Sequence, residues 1–282
     1  MSTTGQHQGQ GQGAVVAPQE AGTVLLLRDG AAGLEVLMVR RGKRAAFMAD
    51  AYVFPGGRVD PGEPFRAAGA AAREAFEEAS VLLAVTPDGQ LIRTDGEAWV
   101  TEARRALHAK TAHLNDLLAV RGLRLAVDVM VPFARWVTPS SEPRRYDTWF
   151  FLARMPEGQT VGHDEIEVSE HRWGTPAELL AANERGEIKL PPPTFWHLSD
   201  LLSFATVDET LAWGRKRPRR AVRPKLVPVG ETLAVVLPWD AEFASLPGEG
   251  DSLPPDDILA GPLGASVTRF LLTDGRWVPT KK

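Results

Sequence analysis

Two short apolar runs open the patterned part of the chain, at residues 23–27 and 34–39, with Asp29-Gly30 between them. Runs of that length around a turn signal predict adjacent strands paired as a hairpin. Pro55-Gly56-Gly57 and Asp60-Pro61-Gly62 then punctuate the chain strongly, after which residues 67–83 hold no proline and are rich in Ala, Glu and Arg. That composition predicts a helix. A second helix is expected over 99–120, where Leu107, Leu114, Leu117 and Leu118 share a face. Strand patterns at 131–137 and 146–152 flank a loop containing Pro139, Ser140, Ser141 and Pro143. Residues 176–183 predict a short helix, and beyond Pro191-Pro192-Pro193 another is expected over 194–204 with Thr194 as its cap. Residues 229–237 and 267–278, the latter with a turn at Asp274-Gly275, read as strands. Strands followed by mixed strands and helices point to an α/β sandwich rather than a bundle or a barrel.

This pattern divides the 282 residues into a Gln/Gly-rich tail (1–20), a main domain (21–204) and an extension of short strands (205–282). The tail has too little apolar surface to order itself. The extension opens on Arg215-Lys216-Arg217-Pro218-Arg219-Arg220, the densest basic run of the chain, which reads as a solvated linker because Pro218 and Pro224 deny it a fixed helical face. With 44% hydrophobic and 24% charged residues, the whole can bury a substantial core. Lys and Arg total 32 against 36 Asp and Glu, a formal charge of -4, which argues against nucleic-acid binding by phosphate neutralisation. The absence of cysteine excludes a disulfide scaffold, a thiolate nucleophile and every Cys-ligated metal site. Apolar runs fall far short of the roughly 20 residues a spanning helix needs, so no membrane partner is expected. The N-terminal residues lack the basic flank and apolar stretch of a secretory signal, which makes the cytoplasm the expected location. The six histidines show no ligand spacing.

Chemistry concentrates on the first predicted helix. Glu74, Glu77 and Glu78 stand at i, i+3 and i+4, within about 100° of arc, and Ala72, Ala75, Phe76, Ala79 and Leu83 fall opposite. Like charges so spaced destabilise an isolated helix by roughly 0.2–0.5 kcal/mol per pair, partly relieved where Arg73 reaches Glu77 at i+4. A hard divalent cation would relieve the rest, and Mg²⁺ prefers such oxygen ligands while bridging phosphates of a substrate. Taken alone, the helix reads equally as an amphipathic element with a solvated acidic face.

The loop before the helix changes that reading. Gly57, Glu63 six positions on, then Arg73-Glu74-Ala75-Phe76-Glu77-Glu78 resembles the signature of the Nudix hydrolases: Gly, five residues, Glu, seven residues, Arg-Glu-aliphatic-any-Glu-Glu-any-Gly. Two departures stand out. Nine residues separate Glu63 from Arg73 where the family has seven, and Ser80 replaces the last Gly. Two residues inserted within a helix would rotate everything after them by about 200°, so the insertion belongs near Pro64 to Ala67, in the loop or first turn. The resemblance runs on through Phe47-Met48, Val53-Phe54-Pro55-Gly56-Gly57, Trp136-Val137-Thr138-Pro139, Arg144-Arg145-Tyr146-Asp147-Thr148, Phe150-Phe151 and Pro191-Pro192-Pro193-Thr194. These look like the branch that holds the peroxisomal coenzyme A diphosphatase and its bacterial relatives, and they cover residues 21–204.

The resemblance implies a Nudix-type α/β/α sandwich with a mixed β-sheet and a loop-helix-loop catalytic segment. It implies a nucleotide substrate, a nucleoside diphosphate linked to another moiety and favourably coenzyme A or an acyl derivative, hydrolysed with Mg²⁺ or Mn²⁺. The metal ligands it implies are Gly56 through its carbonyl, Glu74, Glu77 and Glu78, with Arg73 orienting the glutamates. The base is a box glutamate such as Glu77 or Glu78, or an acidic residue of a later loop. Asp164, Glu165 and Glu167 are the loop candidates, and alternation along a strand would point Glu165 and Glu167 the same way. Arg144 and Arg145 are the cations expected to bind the substrate. ADP-ribose or a dinucleoside polyphosphate is the alternative substrate, and a non-catalytic Nudix-like ligand-binding module the alternative role. The NADH-cleaving branch, with its four-cysteine zinc site, is disfavoured by the missing cysteines.

Overall fold

Residues 24–27 are apolar without a break, a pattern suited to a strand covered on both faces. In the computed structural model, which describes residues 15–42, 50–162, 168–254 and 266–281, they form the middle of the central strand. The strands are β1 (Gln19–Gly30), β2 (Gly33–Arg41), β3 (Tyr52–Val53), β4 (Gly56–Arg58), β5 (Ala84–Val85), β6 (Arg124–Leu125), β7 (Val131–Val137), β8 (Tyr146–Arg154), β9 (Val168–Gly174), β10 (Ala221–Val222), β11 (Lys225–Val229), β12 (Thr232–Val236), β13 (Val267–Thr273) and β14 (Arg276–Lys281). The helices are α1 (Ala67–Ala79), α2 (Ala98–His108), α3 (Leu114–Ala119), α4 (Pro176–Glu184), α5 (Pro192–Leu201) and α6 (Val207–Lys216).

An eight-stranded sheet runs β10-β7-β8-β1-β2-β3, with β4 added on β1 and β9 on β2. It is mixed: β1 lies parallel to β8 and β10 to β7, and the other pairs are antiparallel. Alternation along β1 sends Val24 and Leu26 into a core with α1, α2 and α3, and Leu25 and Leu27 into a second core with α4, α5 and α6. The sheet is therefore the middle layer of an α/β/α sandwich.

Several elements differ from the sequence pattern, each for a local reason. The helix expected over 99–120 is two, because α2 ends in a Schellman motif with Lys110 at φ 54: the Thr111 amide bonds the Ala106 carbonyl and the Lys110 amide that of Leu107. A lysine there hides the stop that glycine would signal. α5 is capped at Pro191, with Pro192 and Pro193 in a first turn whose amides have no helical partner anyway, and Thr194 is buried inside it. Of the strand expected over 229–237, β12 covers Thr232–Val236, and it pairs with β11 in a hairpin turning at Gly230.

The extension is built into the main domain. Its β11-β12-β13-β14 sheet sends Val235, Leu237, Val267 and Phe270 into the core shared with α4 and α5. The basic run is not a free linker: Arg215 and Lys216 end α6, and Arg217 is buried, donating to the Asp200 carboxylate at 2.5 Å. Asp200 in turn lies 3.4 Å from His197, whose ring is packed among Phe133, Trp136 and Phe150. Burial holds His197 below its ordinary pKa. Burial alone would raise that of Asp200, but Arg217 and His197 keep its carboxyl below the usual range.

Candidate functional site

The catalytic-type helix begins abruptly. Phe65 and Arg66 both take positive φ, 59° and 52°, so the chain turns sharply into α1 at Ala67 and the longer spacer is absorbed before the helix. Close approach fixes the rest of the entry: a Cβ on Gly22 of β1 would lie 1.8 Å from the Ala67 carbonyl oxygen. Ala71, Ala72, Ala75, Phe76 and Ala79 then pack fully buried beneath the sheet. At its end, Ser80 adopts φ 59°, the left-handed conformation that a glycine takes without strain. Ser80→Gly should therefore raise stability by about 0.5–1 kcal/mol, read as the shift of a urea midpoint, and a loss of stability would contradict the strain.

The acidic side of α1 is not a solvated face. Glu74 is 9% and Glu78 6% exposed, because both turn towards β4. Carboxylates removed from water need compensating partners, and the structure supplies two. The Gly56 amide donates to Glu78 Oε2 at 3.1 Å. Arg73 donates from Nε to Glu63 Oε1 at 2.8 Å, from one terminal nitrogen to Glu74 Oε1 at 2.8 Å and Glu77 Oε2 at 3.4 Å, and from the other to the Arg58 carbonyl at 2.9 Å. Burial by itself would lower the Arg73 pKa, but the charge of Glu74, the hydrogen bond and charge of Glu63 and the charge of Glu77 together raise it above the ordinary value. Glu63 is thus held against Arg73 in spite of the longer spacer, and its second oxygen accepts from the Asp60 amide at 2.9 Å.

The predicted metal set of Gly56, Glu74, Glu77 and Glu78 is gathered around one loop-helix contact, although among the described residues no three acidic or histidine side chains converge on a single point. Its donors are oxygens only, the chemistry a hard divalent cation takes. Glycine makes the room: a Cβ on Gly57 would lie 2.2 Å from Glu74 Oε1. These features fit a Mg²⁺- or Mn²⁺-type ion. Gly57→Ala should therefore displace the Glu74 carboxylate and lower kcat/KM by roughly 10- to 100-fold, the scale of a catalytic group misplaced by an ångström. Parental kinetics in that variant would show the clearance to be irrelevant.

The other site residues fare differently. Glu165 and Glu167, with Asp164, lie outside the described residues, as do Phe47 and Met48. The Gly162 amide just before the acidic segment donates to the Ala79 carbonyl at 3.1 Å, at the end of α1. Arg104 of α2, which spacing did not single out, ties these parts together by donating to the carbonyls of Glu77 at 2.8 Å and Gly162 at 3.2 Å.

Arg145 needs correction as a substrate cation. Its guanidinium is buried and committed to the fold, donating to the carbonyls of Val16 and Thr138 and to the Glu249 carboxylate. Arg144 is exposed and does not line the cavity described next.

That cavity has a volume of about 550 Å³ and includes Gly56 of the loop-helix contact and Thr23 of β1 in its lining. Segments that the sequence marks separately converge on it, from Val53 through Gly56, Trp136 through Pro139, Tyr146 through Phe150 and Pro191 through Thr194. The charged residues of its lining are Arg41 and Glu142, and Arg41 Nε is buried without a hydrogen-bond partner among the described residues. Arg41, at the end of β2, was not singled out by the sequence pattern.

The NUDT19 Nudix domain matches residues 64–201. A putative nudix hydrolase 7 of Caenorhabditis elegans is 31% identical over 207 residues, 70% of this chain and 65% of that protein. The acyl-coenzyme A diphosphatase NUDT19 of Xenopus laevis is 24% identical over 62% of this chain and 61% of its own length. The human protein of that name is 30% identical over 49% of this chain and 40% of its own length. The chain thus spans less than two thirds of each of these relatives. The crystal structure of a NUDIX hydrolase from Alicyclobacillus acidocaldarius superposes with a TM-score of 0.64 at 26% identity, over 71% of this chain and 97% of that one.

Proposed function

Since the chain belongs to the Nudix hydrolases, on the branch of the NUDT19 Nudix domain, we propose that it hydrolyses the diphosphate of coenzyme A or an acyl-coenzyme A with Mg²⁺ or Mn²⁺. The observation that carries the proposal is the burial of Glu74 and Glu78 against Gly56 and Gly57 at the edge of a largely apolar cavity. A merely solvated acidic helix has no reason to bury its carboxylates. Two relatives with the same domain are named acyl-coenzyme A diphosphatases, which supports the choice of substrate class.

Glu74, Glu77, Glu78 and the Gly56 backbone are the residues that would hold the cation. Such an ion supplies charge neutralisation at the diphosphate and lowers the pKa of attacking water. Arg73 fixes the rotamers of Glu63, Glu74 and Glu77 so that the carboxylates are set before substrate arrives. The Arg41 guanidinium offers donors to a substrate phosphate from the cavity wall. A carboxylate takes the proton of the water that adds to phosphorus, supplied by Glu165, Glu167 or a box glutamate, while the bridging oxygen leaves with the other phosphate. With Mg²⁺ or Mn²⁺ present, coenzyme A or an acyl derivative should be cleaved faster than ADP-ribose or a dinucleoside polyphosphate. The reverse order in a panel of these substrates would overturn the substrate class and leave the family assignment intact.

A further inference from the structure

The four-stranded sheet of the extension has two apolar faces. Pairing sets Leu226 opposite Val235, Pro228 opposite Leu233 and Leu272 opposite Trp277, and these positions alternate with Val227, Ala234 and Leu271. The second set covers Phe243 in a small core of its own. The first set, through Leu226, Leu233, Val235, Leu272 and Trp277, lines the 550 Å³ cavity. Leu233 is 39% exposed, an apolar side chain that a ligand there would cover. The opposite wall, from the large sheet, carries Gly56, Thr23 and Arg41.

The contrast between the walls selects the occupant. A purine has ring nitrogens and an amino group that need partners once out of water, and among the described residues no charged side chain of the extension lines the cavity to serve a ribose phosphate. A hydrocarbon needs only apolar contact, and the volume suits an extended chain. Resting on the function proposed above, we infer that the C-terminal sheet is the acyl-selecting wall of the site, holding the hydrocarbon of an acyl thioester whose diphosphate lies at Gly56 and whose pantetheine arm spans the cavity between the two. The matched family domain ends at residue 201, so this wall lies outside it.

The test uses the full chain with Mg²⁺, comparing kcat/KM for free coenzyme A and for its butanoyl, octanoyl and dodecanoyl thioesters. KM should fall by up to about four-fold per methylene buried, with a plateau when the cavity is full. Leu233→Asp, at a half-exposed position, should lower the octanoyl-to-free ratio of kcat/KM at least ten-fold, with a thermal melt showing a folded chain. A flat chain-length series, or a ratio that the substitution does not move, overturns the acyl wall while coenzyme A cleavage stands. No cleavage of any coenzyme A derivative overturns the parent proposal and this inference with it.

Discussion

Glu78→Gln should lower kcat/KM by roughly 10²- to 10⁴-fold while changing stability by no more than about 1 kcal/mol. The substitution keeps the volume of a side chain that is 6% exposed, and the amide oxygen can still accept from Gly56. What disappears is the negative charge that would hold a divalent ion against the diphosphate. Its loss also relieves crowding with Glu74 on the same helix turn, so the metal-free protein should melt no earlier than the parent. Glu77→Gln should behave likewise. Steady-state kinetics beside urea unfolding separates the two effects, and parental turnover in both variants would reduce α1 to an acidic helix without chemistry.

Arg73→Gln should act in the opposite proportion, with a loss of about 3 kcal/mol of stability along with most of the activity. The guanidinium is the common partner of Glu63, Glu74 and Glu77, at 2.8, 2.8 and 3.4 Å, and these side chains are largely removed from water. Without it, three carboxylates share a poorly hydrated space with one cation fewer. Arg73→Lys should rescue little, because a point charge cannot make the forked contact to both oxygens of Glu63. Added Mg²⁺ should restore part of the lost midpoint in Arg73→Gln by taking over the charge compensation. A variant as stable as the parent would mean that the network is a surface ion pair of little consequence.

Much of this was legible because the carrying signals are local. The helix of Arg73 to Glu78 follows from a proline-free, Ala-rich stretch, and the two-residue insertion is confined by the rotation that any helical insertion would impose. The hairpin at the start of the sheet follows from short apolar runs between turn residues, whereas its mixed character was implied by the family resemblance. What the sequence hid is set by tertiary contact. Burial of Glu74 and Glu78 depends on Gly56 and Gly57 meeting α1 from another segment, and amphipathic spacing cannot distinguish that from solvent. Arg145 sits beside Arg144 in the chain, yet alternation and the approach of Val16 and Glu249 bury one and expose the other. Arg41 becomes part of the cavity only because β2 runs beside β1, and Arg217 leaves the basic run because Asp200 of α5 is underneath it. The helix α6 was readable in principle, since Thr206 and Glu209 form a capping box that the sequence displays.

If the buried glutamates of α1 serve the hydrolysis of a diphosphate bond in coenzyme A, the products and their dependence on metal and on Glu78 are fixed. Product identification with the full chain, coenzyme A and Mg²⁺, run beside a chelated control and Glu78→Gln, tests that role most directly. Phosphopantetheine and an adenosine bisphosphate should form in equal amounts, only with metal present and only in traces in the variant. Inorganic phosphate as the product, or equal yields with the metal removed or Glu78 replaced, would contradict it.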